Sequence, residues 1–362
     1  MDKKQTGAIV PQSTKKKIED SNVTGYRPLI TPAVLKQEVP LTSRGRETVV
    51  RGRHDITESM RGRDKRIVLV VGQCSIHDID SDAEYSKRLL SLSRTVNDVF
   101  IITKRVYFEK PRTTVGWKGF IYDPGLDGKE NINKGLRLAR EILVRNAEMG
   151  LLSGTEFLDP FVPQYLGDTI SWAAIGARTV QSSVHRQMAS GLSMPVGFKN
   201  STQGDITVAM HAVIAASKSQ WFLGMDQNGT VSAVTTKGNQ DTHIVLRGGE
   251  REPNYEAASV EKAQAMLRKN GLSDALMVDC SHGNSNKDYR MQSKVFKDVI
   301  EQILKGNSSI RGLMLESNIN EGSQPIPRRA KDLKYGVSVT DSCIGWEETE
   351  KLILDAHRLL RR

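Results

Sequence analysis

The sequence predicts an α/β fold: a closed (β/α)8 TIM barrel with an N-terminal extension and an inserted β-hairpin near residues 221–235. From residue 66 to the C-terminus, short apolar runs alternate with segments of helical periodicity, which is typical of a parallel sheet. Eight such strand–helix units favour a closed barrel. No Gly-x-Gly-x-x-Gly follows the first strand, which weakens the case for an open dinucleotide-binding sheet.

The strand predictions rest on short runs of β-branched, aromatic and apolar residues bounded by polar or glycine turns. These runs fall at residues 67–71, 99–106, 151–158, 174–177, 195–198, 242–246, 275–278 and 312–315. The helix predictions rest on apolar residues spaced three and four apart. They fall at residues 83–93, 132–149, 163–173, 184–191, 206–216, 260–269, 295–304 and 346–360. Segments 221–225 and 231–234 flank Asn228-Gly229, a two-residue turn signal, and predict the hairpin.

The N-terminal part differs from the barrel in composition. Residues 1–22 are polar, lysine-rich and without periodicity, which predicts a disordered basic tail. Residues 23–65 contain several prolines and a segment of helical potential at 47–60, and we expect an extension with an oligomeric or regulatory role. Residues 66–362 are expected to form the catalytic barrel.

Composition excludes several classes of protein. The chain has 362 residues, 38% hydrophobic and 26% charged, as in an ordinary globular protein. No apolar run approaches the roughly 20 residues of a membrane helix, so we expect no membrane partner. Three widely spaced cysteines indicate a reducing, cytoplasmic location rather than a disulfide framework. The net charge is +10, but Tyr26 is the only aromatic in the basic first 66 residues, so nucleic-acid binding is not expected.

Charged or metal-binding side chains follow every predicted strand, and in a parallel barrel these ends meet on one rim. They are Cys74, Arg105, Glu156, Arg178, Lys199, Arg247, His282 and Glu316, with Asp341 in the loop that follows. Burying so many charges is costly unless ligands pair with them, so this pattern predicts an active site.

One subset of the rim has the chemistry of a metal site. Cys74, His282, Glu316 and Asp341 offer one sulfur, one nitrogen and two carboxylates, which suits a first-row divalent metal with room for a substrate oxygen. His77, further along the first loop, and Cys280 are competing ligand candidates. Cys280 lies two residues before the histidine and has the option of facing the other side of its strand.

A second subset is cationic and predicts binding of anionic substrates. Its members are Arg105, Lys110, Arg112, Arg178, Lys199 and Arg247. Six cations exceed the needs of one phosphate, so we infer two phosphorylated substrates, or one phosphate and a carboxylate. Lys199 alone also allows the Schiff-base lysine of a metal-free aldolase. The metal subset beside it makes that alternative the weaker one.

At this point the motifs resemble those of one family, the class I (type Iα) metal-dependent 3-deoxy-D-arabino-heptulosonate-7-phosphate (DAHP) synthases. The resemblance runs from about residue 25 to the C-terminus. Its motifs include Cys-Ser-Ile-His-Asp, Glu-Lys-Pro-Arg-Thr-Thr-Val-Gly-Trp-Lys-Gly, Ala-Ile-Gly-Ala-Arg-Thr, Pro-Val-Gly-Phe-Lys-Asn, Leu-Arg-Gly-Gly, Ser-His-Gly-Asn-Ser and Tyr-Gly-Val-Ser-Val-Thr-Asp.

The resemblance implies condensation of phosphoenolpyruvate (PEP) with erythrose 4-phosphate in the first step of the shikimate pathway, by a homo-dimer or homo-tetramer. It implies a metal held by Cys74, His282, Glu316 and Asp341. Mn²⁺ is the expected ion, with Fe²⁺, Co²⁺ and Zn²⁺ as alternatives. The implied PEP ligands are Arg105, Lys110, Arg178, Lys199 and Arg247. The implied erythrose 4-phosphate ligands are Arg112 and Thr113, and the implied catalytic residues are Lys110, Glu156 and His282.

The chain departs from the family pattern at two places. Gln73 precedes the metal-site cysteine where the family usually has proline, which predicts altered metal affinity. Asp226, Gln227 and Asn228 replace the usual Thr-Lys-His or Thr-Lys-Trp of the hairpin. In the family this hairpin and the N-terminal extension bind an inhibitory aromatic amino acid. Losing a lysine and gaining an aspartate predicts weak or absent inhibition by phenylalanine and tyrosine.

Two other functions remain as alternatives. One is a 3-deoxy-octulosonate-8-phosphate synthase-like enzyme, which uses a five-carbon sugar phosphate. The other is an inactive regulatory paralogue, for which Gln73 would be the mark of decay.

Overall fold

A closed barrel of parallel strands forms the centre of the structure, a computed structural model that describes residues 18–111 and 115–361. The strands are β1 (Ile67–Gly72), β2 (Phe100–Arg105), β3 (Leu152–Glu156), β4 (Trp172–Ile175), β5 (Val196–Lys199), β6 (Gln220–Met225), β7 (Val231–Thr236), β8 (Thr242–Leu246), β9 (Leu276–Asp279) and β10 (Ile310–Glu316). β1 pairs in parallel with both β2 and β10, which closes the barrel, and β6 and β7 form a separate antiparallel hairpin. The predicted (β/α)8 barrel is confirmed.

Helices surround the barrel, and two of those described precede its first strand while the others alternate with its strands. They are α1 (Pro32–Glu38), α2 (Ser43–Met60), α3 (Ile79–Thr95), α4 (Ile132–Met149), α5 (Val162–Leu166), α6 (Ser183–Gly191), α7 (Thr207–Ala216), α8 (Ala257–Lys269), α9 (Gln292–Leu304) and α10 (Trp346–Leu360). The predicted bounds of α4 are correct because both of its ends carry local signals. Asn131 accepts a hydrogen bond from the Lys134 backbone, and Gly150 ends the helix in the left-handed region at φ +89°. In the described residues no helix is long and apolar enough to cross a membrane.

The helix predicted at residues 163–173 is wrong in its second half. α5 ends at Leu166, a 3₁₀ turn covers Gly167–Thr169, and β4 begins at Trp172. The indole of Trp172 is fully buried inside the barrel, where Nε1 donates to His243 Nε2 at 3.2 Å. A short buried strand and a helix segment have similar apolar content, so periodicity alone did not separate them.

The hairpin is present, but its turn differs from the predicted two-residue Asn-Gly turn. The Asp226 amide donates to the Thr230 carbonyl, so three residues form the loop. Gly229 takes the left-handed conformation at φ +79°, as in three-residue hairpin loops. The Asp226 carboxylate accepts from the backbone amides of Asn228 and Thr230 at 2.8 and 2.9 Å, which stabilises the wider loop.

Helix α2 closes the amino-terminal end of the barrel. Ile56 and Met60 are buried in the same core as the inward-facing strand residues, which include Val68, Val70, Ile101, Leu152, Trp172, Val245, Met277 and Met314. Gly52 lets the helix approach closely, because a Cβ there would lie 2.4 Å from a methyl carbon of Leu152. With this end sealed, open space remains at the opposite end of the barrel.

Candidate active site

A cavity of about 360 Å³ opens at the carboxyl ends of the barrel strands. Its wall contains most of the side chains that the strand-end pattern singled out, namely Arg105, Lys110, Glu156, Arg178, Arg247, His282, Glu316 and Asp341. Two further predicted residues lie against this wall, since Cys74 contacts Lys110 and Lys199 pairs with Glu156. The described members of both predicted subsets therefore line one cavity or lie against its wall.

Strand alternation explains why these side chains share a rim. Successive side chains of a strand point to opposite faces, so residues two apart line the same face. Arg105, Glu156, Lys199, Asp279 and Glu316 end their strands in the row that continues from the barrel interior. The site is thus a polar top layer on an apolar barrel core.

Three candidate metal ligands converge in this layer. Donor atoms of Cys74, Glu316 and Asp341 all lie within 4.8 Å of one another. The Cys74 thiol donates to Asp341 Oδ2 at 3.5 Å. Burial, reinforced by the negative charge of Glu316, raises the thiol pKa to about 11. A cation at this point would lower that pKa and be held by one thiolate and two carboxylates, a donor set that suits first-row divalent metals.

His282 lies beside this group rather than within it. Its Nε2 is 3.8 Å from Glu316 Oε1, and its Nδ1 is 3.0 Å from Asp279 Oδ2. The backbone of His282 is left-handed at φ +58°, an uncommon conformation for a residue with a side chain. Its role as a fourth ligand stays a prediction.

The two competing ligand candidates face other surroundings. His77 is buried with Nδ1 3.4 Å from the Ser75 carbonyl oxygen, and burial lowers the pKa of its imidazole. Cys280 belongs to the outer hydrophobic core, between the strands and the surrounding helices. Neither belongs to the group of donor atoms around Cys74.

Arg105 organises the loop that carries the site cysteine. Its Nη1 donates to the backbone carbonyls of Gln73 and Cys74, the latter at 2.6 Å, and its Nη2 pairs with Glu316 Oε1 at 2.9 Å. The guanidinium carbon lies 3.6 Å from the ring centroid of Tyr107. Predicted only as a substrate ligand, Arg105 has most of its donors engaged by the protein and positions two candidate metal ligands.

Lys110 bridges two members of the candidate metal group. Its Nζ lies 2.9 Å from Cys74 Sγ and 2.9 Å from Asp341 Oδ2. Burial lowers the pKa of this ammonium, but the neighbouring Cys74, Asp341 and Glu316 groups raise it by more, so the net shift is upward. Lys110 therefore holds its proton at neutral pH, beside the atoms where a substrate oxygen would approach.

Lys199 is buried between two carboxylates. Its Nζ lies 3.3 Å from Glu156 Oε2 and 3.4 Å from Asp279 Oδ2. Burial opposes its charge, yet the surrounding negative groups raise the pKa of the ammonium overall. A Schiff-base lysine needs a neutral amine, so this environment disfavours the metal-free aldolase alternative.

Two arginines complete the cationic side of the cavity. Arg247 donates from Nη1 to the Gly248 carbonyl at 3.2 Å, and burial lowers the pKa of its guanidinium. Arg178 lines the same wall. Their fork-shaped donors suit carboxylate and phosphate oxygens. The other predicted cation, Arg112, and its neighbour Thr113 lie outside the described residues.

The sequence reading missed two buried residues of the wall, Tyr107 and Glu109. Glu109 accepts hydrogen bonds from the amides of Leu158 and Asp159 and from the Tyr122 hydroxyl. Burial raises the pKa of its carboxyl to about 8. The sequence contains an indication of both, since they extend the alternating row that contains Arg105. That indication is weaker than the one given by the cationic residues, whose charge points directly to anion binding.

The substituted hairpin positions pack against the N-terminal extension. Lys36 Nζ donates to Gln227 Oε1 at 2.7 Å, and Gln227 Nε2 donates to Gln164 Oε1 at 2.6 Å. Asp226 uses its carboxylate within its own loop, where it accepts from the Asn228 amide. Lys36 thus places a cation beside the loop, which limits the charge reversal expected from the substitutions.

A family comparison covers nearly the whole chain. The model of the DAHP synthetase I family matches residues 39–354. The chain is 48% identical over 344 residues to the Tyr-sensitive phospho-2-dehydro-3-deoxyheptonate aldolase of Escherichia coli, covering 95% of this chain and 96% of the relative. It is 45% identical over 345 residues to the phenylalanine-inhibited enzyme of Saccharomyces cerevisiae, covering 94% and 93%.

Similarity extends to three dimensions. The solved structure of phospho-2-dehydro-3-deoxyheptonate aldolase from Francisella tularensis superimposes with a TM-score of 0.91 at 46% sequence identity. The match covers 94% of this chain and 99% of that one. The two structures are therefore similar over nearly their whole length and not only at isolated motifs.

Proposed function

Because the chain belongs to the DAHP synthetase I family, we propose that it condenses PEP with erythrose 4-phosphate and water to give DAHP and phosphate. This is the first step of the shikimate pathway. The observation that carries the proposal is the joining of a cysteine–carboxylate group and buried cations in one cavity of about 360 Å³. A divalent metal beside buried cations suits a reaction that joins a carbonyl compound to a phosphorylated substrate.

Cys74, Glu316 and Asp341, with His282 alongside, are the residues that we assign to the metal, and Mn²⁺ is the ion that we propose. The donor set fits, because sulfur and carboxylate oxygens lie close enough to share one ion. When bound, such an ion supplies Lewis acidity that polarises a carbonyl oxygen. Arg105 keeps Glu316 and the Cys74 loop in place for this purpose.

We assign the binding of PEP to the cations on the opposite side of the cavity. Lys199, Arg178 and Arg247 offer one ammonium and two guanidinium groups to its carboxylate and phosphate. The apolar barrel core beneath the cavity strengthens these interactions, because opposite charges attract each other more strongly where little water screens them. Arg112 and Thr113 are assigned to the phosphate of erythrose 4-phosphate by the resemblance alone.

Proton transfer is assigned to Lys110 and Glu156, with His282 in support. In the reaction, the methylene carbon of PEP bonds to the aldehyde carbon, and the aldehyde oxygen takes a proton. Lys110 Nζ carries a proton next to Cys74 and Asp341 and is placed to supply it. Water then bonds to the former enol carbon and loses a proton, which leaves a hydroxyl and the phosphate on the same carbon. The C–O bond to phosphate breaks, phosphate leaves with the electron pair, and the hydroxyl loses its proton to form the ketone.

We assign to Glu156 the role of accepting the proton that the attacking water loses. Burial alone would raise its pKa, but the charges of Lys199 and Arg105 lower it, so the carboxylate is ionised and able to accept a proton. Its Oε2 lies 3.3 Å from Lys199 Nζ, which fixes its orientation toward the cavity.

The first experiment follows PEP loss and phosphate release with erythrose 4-phosphate after chelation and after adding Mn²⁺. We expect activity to return with the metal, and a five-carbon sugar phosphate to be a poor substitute. Cys74→Ser should lose both bound metal and activity. Cys280→Ser is the matched control, since that buried thiol faces the outer core. Absence of condensation with Mn²⁺, Fe²⁺, Co²⁺ and Zn²⁺ alike would reject the proposal and favour an inactive paralogue.

A second proposal concerns regulation: inhibition by phenylalanine and tyrosine is weak or absent. Gln227 engages its side chain with Lys36 and Gln164, and its carbonyl accepts from the Ala33 amide at 2.8 Å. These contacts occupy polar groups that an amino-acid effector would need. Titrating the rate with each amino acid is the test, and strong inhibition at low concentration would end the idea. Gln227→Lys, which returns the family's residue, is expected to increase sensitivity.

We further propose that the hairpin mediates assembly with a second copy of the chain, as a homo-dimer or homo-tetramer. Trp221, Leu223 and Val231 are 81%, 84% and 74% exposed on one face of this hairpin. A contiguous apolar face of this kind marks an interaction surface. Light scattering should give a dimer or tetramer, and Trp221→Ser should shift it toward the monomer. A monomeric wild type would contradict the proposal.

We propose a cytoplasmic location on the basis of thiol chemistry. Cys74, Cys280 and Cys343 are all free thiols, and the first is needed as a metal ligand. A reducing compartment keeps such thiols available. Recovery of the enzyme in the membrane or secreted fraction of its source cells would contradict this assignment.

A further inference from the structure

The hydroxyl of Tyr107 lies at the cavity and has no role in the reaction as assigned above. The residue follows β2 in the inward-facing row, lines the cavity, and is only 3% exposed. Its hydroxyl is buried and has no hydrogen-bond partner among the described residues. Buried hydroxyl groups are nearly always paired, and a ligand that enters this cavity would supply a partner for this one.

The surroundings of the ring hold this hydroxyl in place. The guanidinium of Arg105 stacks on the ring at 3.6 Å from its centroid, and Lys199 Nζ lies 5.5 Å from the same centroid. The backbone carbonyl of Tyr107 accepts from the Ile76 amide at 2.9 Å and anchors the Cys74 loop. None of these three contacts involves the hydroxyl, so the packing role of this residue is separable from its polar atom.

The hydroxyl is available as a donor. Burial raises its pKa to about 12, against the opposing effect of the charges on Lys199 and Arg105. It therefore carries its proton throughout the neutral range. Donation to an anionic oxygen is stronger than donation to a neutral one, and the cations around this ring would hold such an oxygen close by.

We propose that Tyr107 is a further substrate-binding residue, whose hydroxyl donates a hydrogen bond to a carboxylate or phosphate oxygen of PEP. The inference rests on the proposed function. PEP is favoured over erythrose 4-phosphate because Tyr107 adjoins Lys199, which we assign to PEP, and Arg105, which the family resemblance also assigns to PEP. The residues assigned to erythrose 4-phosphate, Arg112 and Thr113, come later in the sequence and lie outside the described residues.

Tyr107→Phe tests this directly, because it removes only the oxygen and keeps the ring. Without substrate, we expect the melting temperature of the variant to equal or exceed that of wild type, since an unpaired buried hydroxyl is lost. With PEP, we expect a smaller stabilisation and a KM for PEP raised about tenfold or more. The KM for erythrose 4-phosphate should stay near the wild-type value.

Tyr85→Phe is the matched control. Tyr85 is equally buried but lies outside the barrel, where its ring meets the edge of Trp346 at a centroid distance of 5.4 Å. This variant should bind PEP as wild type does. Should Tyr107→Phe fold poorly, 3-fluorotyrosine at position 107 keeps the hydroxyl, makes it a stronger donor, and is expected to lower the KM for PEP.

The outcomes separate the two proposals. If wild type condenses PEP and Tyr107→Phe binds it equally well, the inference about Tyr107 is overturned and the proposed function stands. A water molecule would then be the partner of the hydroxyl. If wild type neither binds nor consumes PEP, the proposed function itself falls. An equal loss of PEP affinity in Tyr107→Phe and Tyr85→Phe would also overturn the inference, as a general packing effect.

Discussion

Replacing Lys199 distinguishes a buried cation from a nucleophile. Its Nζ lies 3.3 Å from Glu156 Oε2 and 3.4 Å from Asp279 Oδ2, and all three groups are largely buried. At an effective dielectric constant of about 20, each pair contributes roughly 5 kcal/mol of attraction, most of which offsets the cost of burying the charges. Lys199→Met removes the ammonium partner of both buried carboxylates, and Asp279 keeps the contact with His282 Nδ1 at 3.0 Å, so we expect the free energy of unfolding to fall by about 3–5 kcal/mol.

Lys199→Arg keeps the charge but removes the primary amine. We expect it to retain more stability than Lys199→Met and measurable condensation with a raised KM for PEP, because a guanidinium still binds anions. Urea unfolding followed by circular dichroism measures the stability, and steady-state kinetics measures the activity. Lys218→Met, at an exposed lysine, is the control and should change stability by less than about 0.5 kcal/mol.

Two results would refute this reasoning about Lys199. A loss no larger than that of Lys218→Met would mean that the ion pairs do not offset the burial of the carboxylates. A covalent adduct at Lys199 trapped by borohydride reduction in the presence of erythrose 4-phosphate, the substrate that carries a carbonyl, would mean that Lys199 acts as a nucleophile.

Three further predictions concern the barrel floor, the metal group and pH. Ile56→Ala should lower the free energy of unfolding by about 2–5 kcal/mol, while Val50→Ala on the exposed face of α2 changes it by under about 0.5 kcal/mol, as measured by urea unfolding. Cys74→Ser should reduce Mn²⁺ affinity in direct metal titration, and unchanged affinity would remove Cys74 from the ligand set. The raised pKa of Glu109, about 8 against an ordinary 4.5, means that the folded state holds this proton more tightly than the unfolded state. Its contribution to stability is full below the ordinary pKa and is lost as pH rises through about 8. Wild-type melting temperature should therefore fall more than that of Glu109→Gln between about pH 5 and about pH 9; parallel curves would contradict the shift.

Local patterns located the site, as Glu156 and Lys199 show. Each ends a run of strand-forming residues, and the carboxyl ends of parallel strands meet at one rim. Those two facts are enough to bring both side chains to one cavity without knowledge of any contact. Tyr107 and Glu109 extend the same row and were within reach of the same argument. The strand-end pattern does not single them out, because tyrosine and glutamate carry no positive charge that would indicate anion binding.

Other features depended on contacts between distant parts of the chain. Ile56 of α2 packs against inward-facing strand residues at the amino-terminal end of the barrel. Its local sequence pattern does not indicate which strands it contacts. Arg105 is a residue type that commonly binds anionic substrates, yet its guanidinium donates hydrogen bonds to the Gln73 and Cys74 carbonyls. The three-residue hairpin loop formed because the Asp226 carboxylate accepts two amides, which overrode the Asn-Gly turn signal.

The sequence by itself determined the barrel and the rim on which the charged side chains meet, and it predicts the kinds of ligand that suit such a rim. These follow from alternation and strand-end position, which are properties of short segments. Only the tertiary structure decided which charges meet. It brought Cys74 to Asp341 across most of the chain, set His282 beside that pair, and left the Tyr107 hydroxyl unpaired among the described residues. Such pairings depend on how the loops pack together, and a local pattern does not contain that information.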